Sequence, residues 1–229
     1  VFIKDLYRGM NKQAKLFKTV LLGGDTTSSG HGITISITMI GKAAAGSVVY
    51  RGGAKKGDHV YVTGTIGDSA LGLLMLGSKK VLSPDKHLMK RHLDPVPRSD
   101  AGKSIARLKL AHSMIDISDG LIADLRHILT ESRAGATIRL SSLPLSASYK
   151  KHCLDFSNDF YHPALCGGED YELLFTVPTK NIPKVERLEK QLDLPMTCIG
   201  EITGKESGLV ILDDERKKIL LKKEGYAHF

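Results

Sequence analysis

From His59 onward, short apolar runs alternate with amphipathic helical runs, and this alternation restricts the fold more than any other feature of the sequence. The apolar runs have the length of single strands in a sheet. The helical runs at 121–132 and 182–192 carry apolar residues at three- and four-residue spacing, which is typical of helices with one buried face. Because the two types alternate without strict β-α-β regularity, the pattern predicts a mixed α+β domain.

The expected elements of this region follow from periodicity and from glycine and proline breaks. The predicted strands are 59–63, 114–117, 136–140, 171–177, 196–202 and 208–212. The predicted helices are 68–76, 84–92, 100–110, 121–132 and 182–192.

The residues before this region follow a different pattern. Helical spacing predicts a helix over 2–17, and the alternating isoleucines of 31–40 predict a half-buried strand. A short buried strand is expected at 20–22. The stretch 41–57 is rich in Gly, Ala and Lys, which indicates a domain boundary. We therefore expect one domain to end near residue 44 and a second to begin near residue 57.

Composition excludes several classes of protein. The net charge of +8 could attract anionic substrates or nucleic acid, but the basic residues are spread and Trp is absent, so no stacking platform for nucleic acid is expected. The sequence has no apolar run of about 18 residues, which argues against a membrane helix, and no signal-peptide pattern. Its three cysteines are widely spaced, which predicts reduced structural thiols in a cytoplasmic protein.

The strongest local signal for chemistry is Asp116-Ile117-Ser118-Asp119-Gly120, which joins an apolar strand end to a predicted helix. Such a junction exposes backbone N–H groups and the positive end of the helix dipole, which favour phosphate. Asp116 and Asp119 can both face it, and Mg²⁺ prefers oxygen ligands. The pattern predicts a Mg-nucleotide site. In the alternative interpretation, Ser118 or Asp119 caps the helix and Asp116 only ends the strand.

Two further glycine-rich segments carry carboxylates. In 23–29, two glycines allow close approach of a ligand, Asp25 can hold a metal, and hydroxyl groups can bind phosphate. The alternative is a polar turn between two strands. In 167–172, three acidic residues follow a glycine pair, which indicates a cation or a positively charged ring. The alternative is an acidic turn.

Gly102-Lys103-Ser104 resembles the end of a phosphate-binding P-loop, but the match is incomplete. The motif requires glycine five residues earlier, where this chain has Pro97. No buried strand precedes the segment either. We therefore expect an exposed helical turn here.

Five segments, in their order and spacing, resemble the thiamine-monophosphate kinase family of the aminoimidazole ribonucleotide synthetase-like superfamily. They are 22–27, 51–58, 62–69, 114–128 and 167–175, and the ending 225–229 also resembles that of the family. The resemblance covers essentially the whole chain. It implies the remnant of an N-terminal α/β domain that dimerises, over 1–44, followed by a C-terminal α+β domain over 57–229. The substrates would lie between the two domains.

The resemblance also implies roles for individual residues. Asp25, Asp116 and Asp119 would bind Mg²⁺; Gly24, Asp25, Arg51 and Ser118 would contact ATP; Glu169 and Tyr226 would contact the thiamine moiety. An aromatic face beside a carboxylate suits a cationic thiazolium ring, and the family often has tryptophan in place of Tyr226. The implied partners are ATP, thiamine monophosphate and a second copy of the chain, without nucleic acid or membrane.

The implied reaction transfers the γ-phosphoryl group of ATP to thiamine monophosphate to give thiamine diphosphate. A phosphate monoester has a second pKa of about 6, so it is already largely dianionic at neutral pH and needs no general base. Mg²⁺ and Arg51 would offset the repulsion between the two anions.

One departure from the family leaves alternatives open. The family's upstream paired-aspartate motif has no counterpart in this sequence, so we expect the chain to be N-terminally incomplete. Any activity is then expected to depend on the missing part. The alternatives are a non-catalytic or inactive nucleotide-binding fragment and another ATP-using enzyme of the same superfamily.

Overall fold

The computed structural model describes residues 2–78 and 84–219, and the chain divides into two compact units, 1–42 and 43–229. In the first unit, helix α1 (Phe2–Leu16) carries an acidic residue in its first turn and a basic one in its last, which suits the helix dipole. This helix confirms the expectation for 2–17. None of the described helices is long and apolar enough to cross a membrane.

The strands predicted at 20–22 and 31–40 are wrong. Within the described residues 17–42, the backbone forms no strand. Ile33, Ile35 and Ile37 have the period-2 spacing of a half-buried strand, yet each is at least half exposed. A strand needs a hydrogen-bonded neighbour as well as an alternating pattern, and this part of the first unit supplies no such neighbour.

The second unit contains the remaining described elements. Its helices are α2 (Asp68–Gly77), α3 (Lys86–Leu93), α4 (Ser99–Arg107), α5 (Leu121–Ser132), α6 (Ala147–Phe156), α7 (His162–Cys166) and α8 (Ile182–Leu192). Its strands are β1 (His59–Thr63), β2 (Ser113–Asp116), β3 (Ala134–Arg139), β4 (Leu173–Val177), β5 (Met196–Gly204), β6 (Leu209–Leu212) and β7 (Lys218–Ile219). The predicted α+β class is confirmed.

The described strands form one sheet in the order β2-β4-β1-β5-β3-β6-β7. Strands β3 and β6 are parallel, and the other neighbouring pairs are antiparallel. Strand β1 is central, and its side chains alternate between two cores: Val60 and Val62 pack with α2 and α5, whereas Tyr61 packs with α4 and α8. Helices therefore cover both faces of the sheet, and β2 lies at one edge.

Helices α6 and α7 were not predicted. Helix α6 begins after Ser146, whose hydroxyl accepts a hydrogen bond of 2.9 Å from the N–H of Tyr149. Tyr149 is fully buried, and its own hydroxyl donates to the carbonyl of Phe160 at 2.6 Å. The serine cap is visible in the sequence, but this helix is anchored by a tyrosine rather than by a continuous apolar stripe, so periodicity did not reveal it.

Candidate functional site

The candidate site is built on two loops at the same end of neighbouring strands. One, 116–120, follows β2, and the other, 167–172, precedes β4; together they are called the paired loops. Strands β2 and β4 are antiparallel, with Asp116 opposite Leu173. The carboxyl end of β2 and the amino end of β4 therefore meet at one edge of the sheet, which brings together two segments that the sequence separates widely.

Backbone hydrogen bonds continue the pairing of β2 and β4 into the paired loops. The N–H of Ile117 donates to the carbonyl of Glu172 at 2.8 Å, and the N–H of Tyr171 donates to the carbonyl of Ile117 at 2.9 Å. The N–H of Glu169 donates to the carbonyl of Ser118 at 2.8 Å. Because backbone groups are already paired in this way, the position of one loop fixes the position of the other.

Two glycines are required for this close approach. A Cβ atom at Gly168 would overlap the carbonyl oxygen of Ser118. Gly120 has a φ of 119°, and a Cβ atom there would lie 3.0 Å from the backbone of Cys166. Glycine has no Cβ atom and adopts a positive φ without strain, so the loops can pack backbone against backbone.

Asp124 holds the 116–120 loop from the first turn of α5. Its buried Oδ2 atom accepts hydrogen bonds from the N–H groups of Ser118, Asp119 and Gly120 at 3.0, 3.1 and 3.2 Å. Burial raises the pKa of Asp124, and the negative charges of Asp119 and Asp116 contribute to the rise while the backbone bonds oppose it. The three carboxylates are therefore close together in space.

The interpretation in which Ser118 or Asp119 caps the helix is wrong. Helix α5 begins after Gly120, and no side chain caps it at that position. Asp124 instead binds back to the loop, which leaves the exposed Asp116 and the half-buried Asp119 outside the helix. The sequence signal for this arrangement is Asp124, the acidic residue in the first turn of α5.

One aspartate of this loop and two residues of α5 form a group with ligand geometry. Asp119, Asp124 and His127 each place a potential ligand atom within 4.8 Å of the other two. Oδ2 of Asp124 is already occupied by three backbone donors, and an imidazole nitrogen is a poor ligand for Mg²⁺. Asp119 is the member of this group that lies in the 116–120 loop, and Asp116 is not a member of it.

The acidic segment of the second loop divides into buried and exposed groups. Asp170 is fully buried, and its carboxylate accepts hydrogen bonds from the N–H groups of Gly67 and Ser69 at 2.6 and 3.2 Å. These donors lie at the amino end of α2. Burial, the largest cause, raises the pKa of Asp170 to about 7, against the opposing effects of the backbone donors and Arg91.

Glu172 is buried and ion-paired, so its carboxylate is not available for a ligand. Arg98 donates to its two carboxylate oxygens at 2.6 and 2.7 Å, and Arg91 lies 3.0 Å from one of them. The hydroxyl of Thr63 donates a further bond at 2.6 Å. Buried charges are normally compensated in this manner. Among the three acidic residues of the segment, Glu169 alone is exposed.

Glu169 and Tyr171 flank the buried Asp170 with unusual backbone conformations. Their φ angles are 67° and 51°, both in the left-handed region that is uncommon for residues other than glycine. The hydroxyl of Tyr171 donates to Oε2 of Glu169 at 3.1 Å. Such conformations often occur at functional sites, where the surrounding structure enforces them. Tyr171 was not among the predicted site residues.

Arg51 lies beside Asp116. A cavity of about 430 Å³ is lined by Arg51, Asp116, Glu131 and neighbouring residues of the 49–52 and 114–116 segments. The loop of Arg51 is held by the end of α5, because the hydroxyl oxygen of Ser132 accepts from the N–H groups of Gly53 and Ala54 at 3.1 and 3.0 Å. Helix α5 therefore supports both Arg51 and the 116–120 loop.

The remaining predicted site residues are not part of the paired loops. Gly24 and Asp25 are exposed residues of the first unit, and the carboxylate of Asp25 accepts from the N–H of Thr26 at 2.8 Å. Tyr226 lies outside the described residues. Gly102-Lys103-Ser104 lies within α4, as expected for a helical turn rather than a phosphate loop.

Comparison with known proteins identifies the family. The C-terminal domain model of AIR synthase related proteins matches residues 55–213, and the N-terminal domain model matches residues 1–43. A thiamine-monophosphate kinase of Buchnera aphidicola (subsp. Schizaphis graminum) is 43% identical over 100% of this chain and 68% of its own length. The chain belongs to the thiamine-monophosphate kinase family.

Solved structures of thiamine-monophosphate kinases share the fold. The enzyme from Stenotrophomonas maltophilia has a TM-score of 0.66 and 34% identity, over 76% of this chain and 55% of its own. A structure named AaThiL complexed with AMPPCP and TMP has a TM-score of 0.64 and 38% identity, over 79% of this chain and 54% of its own. The chain thus spans about half to two thirds of the length of these proteins.

Proposed function

We propose that the natural gene product transfers the γ-phosphoryl group of ATP to thiamine monophosphate, with the paired loops as part of the active site. The observation that carries the proposal is the backbone pairing of the 116–120 and 167–172 loops. This pairing brings the loop of Asp116 and Asp119 next to the loop of Glu169, which supports a shared site for a metal and a cationic ring. The match to thiamine-monophosphate kinases and the solved AaThiL complex with AMPPCP and TMP support these ligands.

The residues of the 116–120 loop fit Mg²⁺ in their chemistry. Asp116 and Asp119 offer oxygen ligands on a loop whose backbone is already fixed by Asp124. Mg²⁺ bound there would supply positive charge that neutralises phosphate oxygens during transfer. Together with Asp25 of the first unit, these aspartates form the proposed ligand set.

The chain's own groups bind and orient the two substrates. Arg51 lines the cavity that Asp116 also lines, which supports the proposal that its guanidinium binds phosphate oxygens of ATP. Ser118 and Gly24 would add polar contacts to the nucleotide. Glu169 would meet the positively charged thiamine ring, with Tyr226 as its aromatic partner. We assign 1–44 to the domain that contributes Asp25 and dimerises, and 57–229 to the substrate-binding domain of a cytoplasmic enzyme.

The acceptor phosphate needs orientation rather than deprotonation. It is largely dianionic at neutral pH, because its second pKa is about 6. The positive charge of Arg51 and the net charge of +8 favour approach of the two anionic substrates. The proposed catalysis is therefore electrostatic and does not require a histidine or serine base.

Turnover of Asp116→Asn and Asp119→Asn variants tests the proposal. In the natural gene product, with ATP, Mg²⁺ and thiamine monophosphate, each change is expected to lower the rate of thiamine diphosphate formation about 100-fold or more, by analogy with other lost electrostatic stabilisers. Chromatography of the product measures the rate. Asp100→Asn is the matched control, since Asp100 is an exposed residue of α4. Near-normal rates in both site variants contradict the metal assignment, and no consumption of thiamine monophosphate by the unaltered protein contradicts the function.

A further inference from the structure

Tyr171 lies against the carboxylate proposed for the substrate, on the loop that pairs with the loop of Asp116 and Asp119. Its hydroxyl donates to Oε2 of Glu169 at 3.1 Å. Burial raises the pKa of Tyr171, and the hydrogen bond to Glu169 and the negative charges of Glu169, Asp116 and Asp119 raise it further. The phenol donates its hydrogen bond to one of these acidic side chains, Glu169.

The backbone fixes Tyr171 in this position. Its N–H donates to the carbonyl of Ile117 at 2.9 Å, and its φ of 51° is unfavourable for an aromatic residue unless its surroundings enforce it. Asp170, between Glu169 and Tyr171, is fully buried, and its carboxylate accepts from backbone N–H groups at the amino end of α2. Glu169 and Tyr171, on either side of this anchor, are thereby held within hydrogen-bonding distance of each other.

We infer that Tyr171 is a positioning residue that holds the Glu169 carboxylate in one orientation for the cationic ring of the substrate. The inference rests on the proposed function, because it concerns how that site recognises its acceptor. Oε2 of Glu169 accepts from the phenol, so Oε1 is the carboxylate oxygen that we assign to the ligand. A carboxylate without this bond must lose rotational freedom when the substrate binds, and the lost freedom weakens binding.

Tyr171→Phe is the sharpest single test, since it removes one oxygen atom and keeps the ring and the backbone bond. In the natural gene product, we expect the KM for thiamine monophosphate to rise about five-fold, the usual effect of one hydrogen bond. The kcat and the KM for ATP should stay within about two-fold, because transfer depends on the metal ligands and Arg51. A calorimetric Kd for thiamine monophosphate should rise in parallel with its KM.

Tyr61→Phe is the matched control. Tyr61 packs against Phe175 in the core beneath α4 and α8, with ring centroids 5.7 Å apart, and it takes no part in the proposed site. Its variant should leave the Kd for thiamine monophosphate unchanged. An equal rise of the ATP and thiamine monophosphate constants in Tyr171→Phe would indicate general damage to the loop and overturn the positioning role.

A double-mutant cycle with Glu169→Gln separates positioning from a direct contact. If Tyr171 acts through Glu169, then adding Tyr171→Phe to Glu169→Gln weakens binding by less than about two-fold beyond Glu169→Gln alone. Fully additive effects overturn the inference. If the unaltered protein converts thiamine monophosphate but Tyr171→Phe binds it normally, the inference alone fails. If the unaltered protein neither binds nor converts it, the proposed function fails and the inference falls with it.

Discussion

Asp170 illustrates that neighbouring acidic residues of one motif can have opposite roles. The sequence of 167–172 presents Glu169, Asp170 and Glu172 as equivalent candidates for a positively charged ligand. The structure commits Asp170 to backbone N–H groups and Glu172 to two arginines, which leaves Glu169 exposed. Which acidic residue faces solvent depends on the left-handed backbone at Glu169 and Tyr171, and no spacing rule predicts that conformation.

Asp170 should make the stability of the protein depend on pH. Its pKa is about 7 in the folded chain, against an ordinary aspartate value of 3.8, so the folded state binds the proton more tightly. Between these values the folded state holds more protons than the unfolded state, and the free energy of unfolding therefore falls as pH rises from about 5 to 8. One such group contributes a slope of at most about 1.4 kcal/mol per pH unit. Urea denaturation at several pH values measures it.

The contribution of Asp170 can be isolated by comparison with Asp170→Asn. The amide does not titrate, so the stability of this variant should vary less between pH 5 and 8 than that of the unaltered protein. Its absolute stability should be lower, because the amide nitrogen is a donor beside two backbone donors. Parallel pH dependences of the two proteins would contradict a pKa near 7 for Asp170.

Helix α5 is the element that organises the described part of the site. Its first turn holds the 116–120 loop through Asp124, and its last residue, Ser132, holds the loop of Arg51. Its apolar face is buried in the larger core, so both attachments are made from a rigid support. The sequence predicted the bounds of α5 correctly, because four apolar residues recur at helical spacing, but not its two attachments.

Two glycine-to-alanine changes should have opposite effects on stability. Gly120→Ala places a Cβ 3.0 Å from the backbone of Cys166 at a φ of 119°, so we expect a loss of about 2 kcal/mol or more in the free energy of unfolding. Gly102→Ala, inside α4, meets its nearest atom at 3.6 Å and should gain about 0.5–1 kcal/mol through helix propensity. Chemical denaturation measures both. A destabilised Gly102→Ala variant would show that this glycine has a role beyond the helix.

The sequence predicted an element correctly where the spacing of its own apolar residues is enough to define it. Helices α5 and α8 bury one face against the sheet, and their bounds were predicted as observed. The alternating residues 31–40 failed because a strand depends on a neighbour that periodicity does not identify. The same limit applied to the site: the Asp116–Asp119 pair was visible locally, whereas its pairing with 167–172 follows from sheet topology.

The two units of the molecule differ in how their backbone is protected. The second unit is organised around a sheet with helices on both faces, whereas the described residues 17–42 of the first unit form neither helix beyond α1 nor strand. In hydrogen-exchange mass spectrometry, amides of 20–40 should exchange within seconds, and those of β1, β4 and β5 should be protected for far longer. Slow exchange in 31–40 would contradict this prediction and indicate that the segment has found a neighbouring strand.

The hydrogen bonds between the paired loops mean that neither loop can be altered alone. An insertion of one residue in 167–172 would displace the backbone groups that bind Ile117 and Ser118. It would also change the orientation of the acidic side chains of 167–172. A change made in one loop to alter its ligand would then also displace the carboxylates of the other loop. A successful redesign therefore has to replace both segments together or leave both unchanged.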